Sequence, residues 1–120
     1  MPNSKDNLKD RLSRYRQVNL SVTGRKSGKP VTNPVWFVAE GDTVYLLPVY
    51  GSDTQWYRNV VCNPQIRIDA RGAQAELTAK PITESDAVRS VIAKFRDKYG
   101  AGDVNKYYSK FDVAVHAALG

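Results

Sequence analysis

Residues 23–30 read TGRKSGKP, a turn-forming stretch carrying three cations, and it is the first place in this chain where residue types suggest chemistry. Gly24 and Gly28 tolerate the positive φ that lets successive backbone amides converge on an anion. Arg25 offers a planar fork to phosphate or carboxylate, Lys26 and Lys29 add point charges, and Ser27 adds a hydroxyl. The spacing GxxxxGK[ST] of a nucleotide P-loop is absent. A charged hairpin tip with no ligand has the same composition, so at this point both readings stand.

Further candidates follow at short intervals. Thr32, Asn33 and Pro34 place a proline inside a strand-like run, and Pro48 repeats the pattern just before Val49, Tyr50 and Gly51. A strand proline removes a ladder donor, which marks either a protected edge or a place where a ligand meets backbone. Trp56 and Asn59, three apart, share one side of a short helix, where Trp56 can pack on the body of the protein or wall a ring-shaped ligand. Tyr99, Tyr107 and Tyr108 cluster near the C-terminus. A phenol stays protonated at neutral pH and can donate to an oxygen being reduced, or it can serve as a packing aromatic.

Other constellations are missing. His116 is the single histidine and Cys62 the single cysteine, too few for a zinc site or a Cys–His pair, and no metal site is expected. No GxSxG or paired-carboxylate motif occurs. An enzyme built from these residues needs a cofactor to carry its chemistry.

The elements that must position these groups follow from periodicity. Leu8, Leu12 and Tyr15 mark a short amphipathic helix in a basic N-terminal arm, residues 1–17. VNLSVT (18–23), VTNPVWFVA (31–39) and TVYLLPV (43–49) read as a three-strand meander. GSDTQWYRNVVCNP reads as one helix capped by Ser52 or Asp53 and ended by Asn63-Pro64. QIRIDA (65–70) and AQAELTAKPI (73–82) form a hairpin. A capping-box-like Thr83–Asp86 then opens a helix whose stripe Val88, Val91, Ile92, Phe95 and Tyr99 stops at Gly100. FDVAVHAAL (111–119) reads as a closing strand. The expected fold is mainly β with some helix: a split antiparallel barrel of about six strands with peripheral helices, one domain over residues 1–120, with the barrel in 18–120. So small a barrel fills its own interior, which leaves a ligand the outer wall or a subunit junction.

Composition narrows the classes. The hydrophobic fraction is 42% and the charged fraction 25%, as in ordinary globular proteins. No apolar run approaches the roughly 20 residues of a membrane helix, the polar start has no signal-peptide core, and one cysteine forms no internal disulfide, so the expected compartment is the cytoplasm. The net charge is +6, and residues 1–30 hold eight Lys/Arg against two Asp/Glu. That concentration suits an anionic tail or, through the N-terminal arm, peripheral contact with an anionic membrane. Nucleic acid is disfavoured, because no aromatic is interleaved with Arg25, Lys26 and Lys29.

Taken together, TGRKSGKPVTNPVWFV, EGDTVYLLPVYGS and WYRNVVCNP resemble the deazaflavin-dependent nitroreductase family, split β-barrel proteins that bind coenzyme F-420. The resemblance runs from about Val18 to Ile68 and more loosely beyond. It implies that Arg25, Lys26 and Ser27, with Lys29 beside them, grip the phosphate and oligoglutamate tail. It implies that Thr32, Asn33, Pro34, Val35 and Trp36 bring backbone to the deazaflavin, and that Leu47, Pro48, Val49, Tyr50 and Gly51 flank the ring. Gln55, Trp56, Tyr57 and Asn59 would complete the pocket, with Tyr99 and Tyr107 on the substrate side as the expected catalytic donors. Val31 stands where many relatives carry a phosphate-binding arginine, and Gly102 stands where a relative has a further tyrosine. The implied activity is hydride transfer from reduced F-420 to a small electron-poor molecule such as a quinone, enone or nitroaromatic. The wider superfamily holds FMN, haem and biliverdin binders and many homodimers. That leaves open an FMN-binding oxidoreductase, a non-catalytic flavin-binding protein, and a homodimer.

Overall fold

The computed structural model describes residues 10–119. Residues 10–12 are the end of a helix that buries Leu12; Leu8 and the start of the basic arm lie outside the described residues. Seven strands follow: β1 (Val18–Thr23), β2 (Pro30–Val35), β3 (Phe37–Glu40), β4 (Thr43–Leu46), β5 (Gln65–Ala70), β6 (Ala73–Ile82) and β7 (Ala114–Ala118). Three helices are interspersed, α1 (Gln55–Cys62), α2 (Ser85–Tyr99) and α3 (Ala101–Tyr107), and a single 3-10 turn spans Gly51–Asp53.

The mainly β, split-barrel expectation holds, with one strand more than the sequence suggests. The run 31–39 is two strands: β2 pairs with β1, β3 pairs with β4, and Trp36 alone separates them. The sheet order is β2-β1-β5-β6-β7-β4-β3, so the two strands on either side of Trp36 are the two edges. Consecutive residues cannot lie at opposite ends of a flat sheet. The sheet must therefore curl until its edges meet, and a strongly curled antiparallel sheet is a split barrel.

β6 makes the curl possible because it is ten residues long. Its first part, from Ala73 to Thr78, pairs with β5, and Ala79 to Ile82 pair with β7. One strand thus serves both halves. The barrel interior is filled by Leu20, Phe37, Val44, Leu46, Ile68 and Val115, among others, and α1 adds Trp56, Tyr57 and Val60 to the same cluster. A second apolar cluster joins α2 and α3 to Val38, Leu47 and Ala114, on the outer side of the β3–β4–β7 half. Adjacent residues Phe37 and Val38 are both buried because alternate side chains enter the two clusters. The same double coverage buries Ala114 beside Val113 and Val115, so the closing strand lacks the one-sided alternation read from its sequence.

Three local expectations need correction. Ser52 and Asp53 do not cap α1; they form the separate 3-10 turn, and Thr54 occupies the cap position without a side-chain bond to the helix. The α2 cap is Glu84 rather than Thr83, its carboxylate accepting from the Asp86 and Ala87 amides, both at 3.1 Å. Residues 101–107, left unassigned in the sequence, form α3, split from α2 at Gly100, whose φ of 93° no ordinary residue adopts easily.

Candidate functional site

The strand switch at Trp36 opens a cleft of about 720 Å³. On one side lie Asn33, Pro34, Val35 and Trp36, and on the other Leu47, Val49, Tyr50, Asp53 and Thr54. Gln55 and Trp56 from the start of α1, Tyr107 and Tyr108 from the end of α3, and Gln17 complete it. Its position follows from the topology, because β2 and β3 diverge there and no strand fills the gap.

The prolines shape the near wall. Pro30, Thr32 and Pro34 are alternate residues of edge strand β2, paired with Thr23, Ser21 and Asn19. In an antiparallel ladder alternate residues turn their amides the same way, and a proline cannot donate to its partner strand. These three therefore turn toward the outer edge, where Thr32 alone keeps an N–H. An edge so stripped of donors resists pairing with another strand.

Trp36 is fixed from behind. Its ring stacks on Tyr99 with centroids 4.2 Å apart and planes 9° from parallel, and Tyr107 meets it edge-on at 5.1 Å. The Tyr99 hydroxyl accepts from the Phe37 N–H at 3.0 Å and lies 2.7 Å from the Phe37 carbonyl and 2.8 Å from the Arg16 carbonyl. Burial pushes this phenol up to about 12, so it remains a neutral tether. Tyr99 is thus buried behind Trp36 and does not line the cleft, whereas the exposed Tyr107 does.

Tyr108 belongs to the C-terminal tyrosine cluster but is not among the expected catalytic donors, Tyr99 and Tyr107. It lines the cleft and is only 4% exposed, yet its hydroxyl has no hydrogen-bond partner among the described residues. No unpartnered side-chain oxygen among the described residues is fully sealed from solvent, so this hydroxyl keeps some contact with solvent. Burial, with Tyr99 adding to it, pushes the phenol well above its ordinary range and keeps it a proton-bearing donor. The sequence signal was the pair Tyr107-Tyr108 at a helix end, one member of which must face inward.

The basic turn is joined to the cleft by Arg25. Its guanidinium donates to Asn59 Oδ1 at 2.8 Å and to Gln55 Oε1 at 2.9 Å, and its backbone N–H reaches the same Asn59 oxygen at 3.1 Å. Gln55 lines the cleft while Asn59 is buried, so Asn59 acts as the anchor of Arg25. Lys26, Ser27 and Lys29 are exposed on the turn, and Ser27 Oγ accepts from the Lys29 amide at 3.2 Å. A Cβ on Gly24 would sit 2.7 Å from that hydroxyl and 3.2 Å from the Lys29 carbonyl, so a larger residue there would crowd the turn.

The far wall is tied to the C-terminal segment. Ser109 N–H donates to Val49 O at 2.9 Å, Ser52 donates to Asp112 through both N–H and hydroxyl, and Lys110 bridges to Asp53 at 3.1 Å. Hydrogen bonds from Lys110 and Arg58 hold the Asp53 carboxyl below its usual range. Among the residues expected at the site, Thr32 points elsewhere, its hydroxyl 2.7 Å from Ser21 Oγ. Pro48, Gly51 and Tyr57 are buried behind the lining. Gln17, Asp53 and Thr54 joined it without any signal in the sequence. Among the described residues no group of His, Cys, Asp or Glu converges to hold a metal ion.

A family model described as F420H(2)-dependent quinone reductase matches residues 3–116, nearly the whole chain. The chain belongs to that family. A curated member from Mycobacterium tuberculosis, itself named an F420H(2)-dependent quinone reductase, is 26% identical over 94 residues, covering 76% of this chain and 63% of the relative. The chain thus spans less than two thirds of that relative's length. The family's fold is matched by a solved F420-H2 dependent reductase (FDR-A), with a TM-score of 0.66 at 20% identity, covering 85% of this chain and 93% of that one. A structure described as a domain-swapped dimer matches with a TM-score of 0.68 at 17% identity, covering 96% and 99%. At these identities the structural likenesses speak for the fold alone.

Proposed function

We propose that this chain binds coenzyme F-420 in the cleft at Trp36 and reduces a small, electron-poor acceptor of the quinone class, with enones and nitroaromatics as chemical relatives. The carrying observation is the Arg25–Gln55 link, which sets a basic turn against an aromatic cleft in a chain of this family.

The residues fit the group. A cleft of about 720 Å³ lies within the range of small-molecule sites, and Trp36 and Trp56 offer it flat apolar surface. Arg25, Lys26 and Lys29 match the anionic tail, with the Arg25 fork preset by Asn59. Thr32, Pro48, Gly51 and Tyr57 enter this reading as support for the lining rather than as contacts. When bound, reduced F-420 supplies the hydride equivalent. The protein's share is to orient the acceptor, to exclude water, and to hold a donor at the acceptor oxygen as negative charge builds there. Tyr108 takes that role in this reading, Tyr107 borders the acceptor, and Tyr99 keeps Trp36 in place.

Titration of the purified protein with reduced and oxidised F-420, followed by fluorescence quenching, tests the reading. Saturation at micromolar concentrations is expected; a flat titration, or a purified protein yellow with bound FMN, would refute it. A single domain in the cytoplasm belongs to the same proposal, consistent with the absence of a long apolar helix among the described residues. A homodimer is the finer suggestion, and light scattering on the purified chain decides it.

A further inference from the structure

Lys98, in the last turn of α2, is half-buried and has no carboxylate partner among the described residues. Its ammonium donates to the Phe37 carbonyl at 2.8 Å and lies 3.6 Å from the centre of the Phe37 ring. The charge that acts on it is of the same sign: Arg16, whose guanidinium sits 5.0 Å from the Tyr99 ring that Lys98 also faces at 5.1 Å. Lys94 and Lys110, by contrast, pair with Glu40 and Asp53. A half-buried cation with no counter-ion among the described residues is costly, and the cleft described above makes no use of this one.

Beside Lys98 opens a recess of about 280 Å³, lined also by Leu12, Ser13, Val38, Ala39 and Gly41. It lies apart from the Trp36 cleft and shares none of its lining residues. Small residues on its wall leave room for a few heavy atoms next to the amine. Burial, with Arg16 adding to it, lowers the ammonium to about 8. On the order of a tenth of the molecules then carry a neutral, nucleophilic amine at pH 7, a few hundred times the fraction for a solvated lysine.

The geometry points to Lys98 as an acyl-modification site, taking a short acyl group from an acyl phosphate or acyl thioester. The neutral Nζ attacks the acyl carbon and an N–C bond forms. The C–O bond to phosphate or the C–S bond to thiol breaks, its electron pair leaving with that group, and the surplus Nζ proton passes to water. No oxidant or reductant is involved. The product is an uncharged amide, so the Phe37 carbonyl loses its cation. Phe37 is bonded directly to Trp36, which makes the mark a means of loosening one wall of the cleft from behind.

Full-length protein incubated with acetyl phosphate, and separately with acetyl coenzyme A, followed by time-resolved peptide mass spectrometry, tests this. Lys98 should acetylate about tenfold faster than the exposed Lys26, Lys29 and Lys106 at pH 7, its rate levelling near pH 8 while theirs still climbs. Reaction in one arm or both identifies the donor class. A Lys98 rate equal to or below those of the exposed lysines in both arms overturns the proposal. Lys98→Arg must abolish the mark on that peptide while the chain stays folded by circular dichroism. Mass is the readout, so the outcome is independent of whether F-420 binds.

Discussion

Tyr99 and Phe37, 62 positions apart, are joined at both backbone groups of Phe37: the Tyr99 hydroxyl accepts from its N–H at 3.0 Å and lies 2.7 Å from its carbonyl. Phe37 is the first residue after the strand switch, so the end of α2 holds the point where the barrel splits. The stacking of the Tyr99 ring on Trp36 makes the same residue the backing of the cleft wall.

Removing that hydroxyl leaves a buried amide without a partner. Tyr99→Phe should cost about 1–3 kcal/mol of stability, read as a lower urea midpoint with an unchanged slope. A wild-type midpoint would show that the Phe37 amide finds another acceptor.

Stability should also vary with pH in two opposite directions. Lys98 is lowered to about 8 in the folded protein, so between there and its ordinary value of 10.5 the unfolded chain binds more protons, and stability rises with pH. Tyr99 is raised to about 12, so its contribution is complete below about 10 and is lost as pH climbs toward 12. Urea midpoints from pH 7 to 11 should therefore rise and then fall. Lys98→Met should flatten the rise and spare the fall; an unaltered profile would contradict the assignment.

Arg25→Lys should weaken F-420 binding about tenfold. Lysine keeps the charge but cannot span Gln55 and Asn59 as the guanidinium fork does. Dissociation constants measured at two ionic strengths check it: loss of the fork lowers affinity at both, whereas a purely charge-based role would leave the variant close to wild type.

Gly51→Ala should destabilise the far wall by about 1–3 kcal/mol. Gly51 has φ of 56°, and a Cβ there would collide with the Asp112 carboxylate that accepts from Ser52. Thermal unfolding of Gly51→Ala beside Gly41→Ala checks it, because Gly41 has a similar φ of 58° with nothing near its missing Cβ. The difference between the two isolates the collision from the backbone strain.

Tyr108→Phe should lower kcat for quinone reduction about a hundredfold while F-420 affinity and unfolding midpoint stay near wild type. Its hydroxyl has no partner to lose among the described residues, so a large loss of stability would instead mark it as structural.

Much of this protein is local and therefore visible in its sequence. Alternation in VNLSVT and AQAELTAKPI reflects strands with one face in the barrel and the other in water, and the stripe from Val88 to Tyr99 reflects a helix with one buried side. The basic turn is local too: its glycines, charges and Ser27 lie within eight residues of chain. What adjacency in sequence cannot express is which surfaces come together. TNPVWF reads as one strand, and only the curled sheet turns Trp36 into a switch between two edges. The resemblance implies Tyr99 as a donor, but neither it nor composition expresses which C-terminal tyrosine is buried. Burial against Trp36 and two backbone groups made Tyr99 a tether, and the break at Gly100 carried Tyr108 to the cleft instead. Residue types and spacing determine what chemistry is available along the chain; the long-range pairing of strands, by closing the barrel, decides which of those residues share a space.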